Sequence, residues 1–137
     1  MINQILYVDD DSTAQSLFNL VNKKAAFAKE VLFATSGQQV LDFYEQLLLK
    51  LPAISPLYPE LLFIDLVMPI MDGWELLDTW VSKYLPAFPA TQVIIISSSI
   101  NPADRAKVAH YPCVLDFISK PATVPLLNEI RLKVQKS

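Results

Sequence analysis

Short strand-like runs alternate along this chain with segments whose apolar residues recur at helical spacing, and this alternation restricts the fold more than any other feature. The runs are Ile5 to Val8, Glu30 to Thr35, LLFID at 61–65, QVIIIS at 92–97 and CVLDFIS at 113–119. Between them, Ala14, Leu17, Phe18 and Val21 mark one helix face, and Val40, Leu41, Tyr44, Leu47 and Leu48 mark a second. Gly73 opens a third, with Trp74, Leu77, Val81 and Leu85, before Pro86 and Pro89 break it. Asn101 and Pro102 read as an N-cap with proline at the first helical position, starting a short polar helix to about His110. Thr123 and Pro125 repeat that signal for a last helix carrying Leu126, Leu127, Ile130 and Val134. Five βα units in succession predict a single α/β domain over 1–137, with a parallel sheet, right-handed crossovers and helices on both faces.

Composition agrees where it bears on this reading. Hydrophobic residues make up 53% of the chain, yet no stretch approaches the roughly 20 apolar residues of a membrane span. The surplus suits strands buried on both faces. A net charge of -3 with no basic stripe argues against direct nucleic-acid contact. Cys113 is alone, so no internal disulfide is predicted, and MINQILYV lacks a basic leader; a cytoplasmic setting is expected. Ser12 and Gln15 have the form of a capping box for the first helix, while Asp11 suits the positive end of that helix. The prolines of KLPAISPLYPE predict a long loop before the third strand.

Ligands of open parallel sheets bind at the carboxyl ends of the strands. Those ends carry Asp9, Asp10 and Asp11 after the first strand, Asp65 at the third, Ser97 at the fourth, and Lys120 with Pro121 after the fifth. Carboxylates from two strands can hold Mg2+, and one of them can attack phosphorus. A hydroxyl and an ammonium aimed at the phosphoryl oxygens would stabilise the transition-state charge.

In this order, ILYVDD, IDLVMPIMDG, VIIIS and FISKP resemble the receiver domain of two-component response regulators over nearly the whole chain. The resemblance implies a flavodoxin-like sheet of order 2-1-3-4-5. It implies Asp65 as phosphoacceptor, Asp9, Asp10 and the Val67 carbonyl as Mg2+ ligands, and Ser97 and Lys120 as phosphate contacts. Ser97 and Phe117 would be the switch residues, and the Lys120–Pro121 bond would be cis. It further implies a sensor histidine kinase or phosphotransfer protein as donor, and an unnamed protein target reached through phosphorylation-dependent contacts, a homodimer among them. No output domain and no turnover of an external substrate are expected. Val67, two residues after the acceptor, and Ser99, two after the hydroxyl, stand where polar side chains in this family help hold the attacking water, and slow hydrolysis is expected.

Two rivals are open at this stage. Asp9 to Thr13 also satisfies the D-x-D-x-T pattern of haloacid dehalogenase-type phosphatases, with Asp9 as nucleophile and Asp11 as general acid. That reading lacks the later metal-binding acids, with only Glu129 beyond Lys120, and gives Asp65 no role. The other rival is a pseudo-receiver that binds partners without phosphorylation.

Overall fold

Strands form where Val, Ile, Leu and aromatic residues concentrate, and Asp11, Ser36, Asp72 and Asn101 cap the starts of the helices that follow the first four. The computed structural model describes residues 1–51, 58–98 and 101–136. Strands β1 (Ile2–Val8), β2 (Ala28–Ala34), β3 (Leu61–Asp65), β4 (Gln92–Ser97) and β5 (Val114–Ser119) form one parallel sheet in the order β2-β1-β3-β4-β5. Helices α1 (Ser12–Ala25), α2 (Gly37–Lys50), α3 (Gly73–Lys83), α4 (Pro102–Lys107) and α5 (Val124–Lys136) connect and flank them, with a 3-10 turn at Val108–His110. This is the doubly wound, flavodoxin-like arrangement expected from the sequence. No helix among the described residues is long and apolar enough to cross a membrane.

Two cores lie on opposite faces of the sheet, because alternate residues of each strand point opposite ways. Val8, Ile64 and Ile95 pack with Val40, Tyr44 and Trp80 of α2 and α3. Tyr7, Phe63 and Ile94 pack with Phe18, Leu127 and Ile130 of α1 and α5. Helix α4 contributes no buried residue.

Several boundaries differ from the sequence reading for local reasons. β2 starts at Ala28, two residues early, because the buried Asn22 side chain accepts from Ala28 N at 2.8 Å and donates to Ala28 O at 3.1 Å. Helix α3 ends at Lys83, short of Leu85, since the residue before a proline disfavours helical backbone. β5 starts at Val114, leaving Cys113 outside it and half-buried. The Ser12–Gln15 capping box does not form: Asp11 is the N-cap and accepts from Thr13 N at 2.9 Å, while the Gln15 amide turns elsewhere. A true capping box starts α3 instead, where Asp72 and Glu75 exchange bonds with each other's backbone N–H. Most of the proline-rich loop, and Ser99, lie outside the described residues.

Candidate functional site

The acids meet at the carboxyl edge because β1 and β3 are neighbours whose ends align. Asp9 directly follows β1, and its N–H donates to Ala34 O at 3.0 Å, extending the β1–β2 ladder and burying the side chain completely. Asp65 ends β3 and is only 3% exposed, whereas Asp10 is exposed. Each of the three offers a carboxylate oxygen, and these oxygens lie within 4.8 Å of one another.

Lys120 closes the group from the end of β5. Its Nζ lies 2.6 Å from Asp9 Oδ2 and 3.2 Å from Asp65 Oδ2. Its backbone N–H donates to Ser97 O at 3.0 Å, tying the lysine to the end of β4, where Ser97 is fully buried. The Lys120–Pro121 bond is cis. The Val67 N–H donates to Asp65 Oδ1 at 3.3 Å, while the Val67 side chain faces solvent.

Burial pushes the Asp65 carboxyl above its ordinary pKa; the Lys120 charge opposes this and Asp9 repulsion adds to it, with a net rise. Burial also works against the Lys120 ammonium, but its hydrogen bond to Asp9 and the charges of Asp65 and Asp9 outweigh that and hold its pKa above the usual lysine value. One ammonium therefore balances only part of a three-acid cluster, which is short of positive charge. The set fits a hard divalent cation, since its donors are all oxygen, come from two strand ends and include one solvent-facing acid.

Other residues named from the sequence sit nearby or apart. Phe117 is buried on β5, with its ring 4.7 Å from the Arg105 guanidinium, and Arg105 Nη1 donates to Phe117 O at 3.3 Å. His110 is exposed on the turn after α4. Two site-supporting residues escaped the sequence reading. Gln15 Nε2 donates to Asp9 O at 2.8 Å and to Ala34 O at 3.2 Å, locking the β1 and β2 ends to α1. The Tyr7 hydroxyl donates to Asp9 Oδ2 at 3.3 Å. Strand period carries the one signal for Tyr7, because the β1–β2 ladder runs on to Asp9 and side chains two residues apart share a face.

Fold and edge chemistry together define a signalling module of the two-component class. The chain matches the response regulator receiver domain over residues 5–131 and belongs to that family. It is 27% identical over 126 residues to the chemotaxis protein CheY of Halobacterium salinarum, covering 91% of this chain and 90% of that one. It is 26% identical over 121 residues to a Myxococcus xanthus protein-glutamate methylesterase/protein-glutamine glutaminase, covering 88% of this chain but 31% of that much longer protein. Among solved structures, a two-component response regulator from Cytophaga hutchinsonii superposes with a TM-score of 0.88 at 29% identity, covering 99% of this chain and 98% of that one. A Legionella pneumophila response regulator, at 21% identity and a TM-score of 0.77 over 98% of this chain and 99% of that one, shares the fold. Family membership disfavours the phosphatase reading, whose general acid, Asp11, is here engaged as the cap of α1. Receiver domains are signalling modules, not enzymes that turn over an external substrate.

Proposed function

We propose that this domain accepts a phosphoryl group on Asp65 from a phosphohistidine of a sensor kinase or phosphotransfer protein, and signals through contacts that the modification changes. The observation that carries the reading is the bridge from Lys120 to both Asp9 and Asp65 at the edge of the sheet. Asp9, Asp10, Asp65 and the Val67 carbonyl would hold Mg2+, which when bound supplies charge neutralisation of carboxylate and phosphoryl oxygens. An Asp65 carboxylate oxygen bonds to phosphorus as the phosphorus–nitrogen bond breaks, and the imidazole leaves with the electron pair. Lys120 and the Ser97 hydroxyl donate to the phosphoryl oxygens, where charge develops. Hydrolysis later restores the carboxylate, slowly, because Val67 has no polar group with which to hold a water.

Phosphorylation biases a pre-existing equilibrium between two conformations. Ser97 and Phe117 move toward the phosphoryl group and remodel the face of α4, β5 and α5, which meets the downstream target or a second copy of the domain. A cytoplasmic location accords with this role. Incubation with Mg2+ and acetyl phosphate, followed by intact mass measurement, tests the reading. Wild type is expected to gain one phosphoryl mass and Asp65→Asn none. An adduct that survives Asp65→Asn and disappears with Asp9→Asn would revive the phosphatase reading, and no adduct in wild type would favour a pseudo-receiver.

A further inference from the structure

Asp9 is the most constrained acid of the cluster, and its constraint comes from an unexpected quarter. Its Oδ1 accepts from Asp11 N at 2.9 Å, and its Oδ2 is shared by Lys120 Nζ at 2.6 Å and the Tyr7 hydroxyl at 3.3 Å. Tyr7 is 2% exposed and stands in an aromatic packet, stacked on Phe18 at 4.4 Å between centroids and tilted against Phe63 at 6.0 Å. Stacking fixes the ring, so the hydroxyl has a fixed aim. A buried phenol needs a polar partner, and the strand's alternation directs this one to the acid two residues on.

We infer that Tyr7 is a positioning residue for the acid site: it keeps Asp9 oriented toward the cation while Lys120 is free to leave Asp9 for the phosphoryl group. The inference rests on the proposed reading of Asp9 as a Mg2+ ligand. A Lys120 that turns to the phosphoryl oxygens, as the proposed function has it, gives up its 2.6 Å contact with Asp9 Oδ2. When it turns away, Tyr7 remains as a donor on that oxygen. Hydrogen bonds to a ligating carboxylate set its orientation, and their removal typically weakens metal binding by about 10-fold or more.

The test is calorimetric titration of Mg2+ into the unphosphorylated domain, as wild type, Tyr7→Phe, Asp9→Asn and the double variant. Tyr7→Phe keeps the ring contacts. It is expected to bind Mg2+ about 10-fold more weakly than wild type, with no further loss when combined with Asp9→Asn, because Tyr7 acts through that carboxylate. Equal affinity of wild type and Tyr7→Phe would overturn the positioning role while leaving the Mg2+ site standing. A wild type that binds no Mg2+ would overturn the reading of the acid site, and the positioning role with it. Should Tyr7→Phe fail to fold, the wild-type hydroxyl proton of Tyr7, followed by NMR, gives the answer: it is expected to shift on saturation with Mg2+, and an unmoved signal overturns the inference.

Discussion

At the scale of single residues, the site is arranged against the stability of the domain. Asp65 carries its charge while buried and beside Asp9, so its folded-state pKa lies above the ordinary value of 3.8. Between those two values the folded chain binds more protons than the unfolded chain, and stability falls as pH rises through that window. Asp65→Asn removes the buried charge. In Mg2+-free buffer at pH 7 it is expected to melt a few degrees higher, roughly 1 kcal/mol, with the gap closing as the pH drops through the folded-state pKa of Asp65. Thermal melts at pH 7 and pH 4 check this, and an equal or lower melting temperature at pH 7 would contradict it. Val67 offers a separate handle, because its side chain is 66% exposed and little packing depends on it. Val67→Asn is expected to shorten the lifetime of the phosphorylated state several-fold by holding a water, on the order of 1 kcal/mol in barrier. Decay followed by intact mass measures it. The place of the acids, Ser97 and Lys120 at the carboxyl edge of the sheet was legible in the sequence, because each stands at the end of an apolar run. Tyr7 and Gln15 were not, because their roles depend on which side chain the fold places opposite them.

At the scale of elements, the turn between β3 and α3 couples the site to the scaffold. Gly73 N donates to Leu66 O at 3.0 Å. A Cβ at Gly73 would stand 2.5 Å from Asp65 O and 2.7 Å from Leu66 Cα, both backbone atoms that cannot yield without moving Asp65 itself. Gly73→Ala is therefore expected to lower stability by about 2 kcal/mol or more and to reduce phosphorylation, whereas Asp72→Ala, which removes only the cap, costs about 1 kcal/mol. Urea melts of the two variants, with phosphorylation by acetyl phosphate, rank them; a milder effect at Gly73 than at Asp72 would refute the close-packing account. The helix start at Gly73 was readable from the sequence, but the close approach of backbone to backbone was not. The mistaken cap at Ser12 has the same origin. Asp11 and Ser12 both carry capping oxygens, and only the position of Asp9 settles which one meets a free N–H.

At the scale of the whole molecule, the two cores divide the labour. Continuous runs such as LLFID and VIII predicted strands buried on both faces, and the sheet bears this out, with Leu61 to Ile64 and Val93 to Ile96 all at 0% exposure. Helix α4 is the exception, since it adds nothing to either core. Trp74 Nε1 donates to Asp104 Oδ1 at 3.1 Å, and Arg105 reaches Phe117 O and Ser119, so polar and cation–ring contacts hold α4 in place of apolar burial. An element held in this way can shift at low cost, which suits the switching face proposed above. Asp65 is proposed to take the phosphoryl group, and its position can be read by phosphorylating the wild-type domain, reducing the acyl phosphate with borohydride to homoserine, and mapping the peptides by mass. Homoserine at position 65 alone is expected. Homoserine at position 9, or a phosphoryl adduct carried on Ser97 or another side chain, would contradict it.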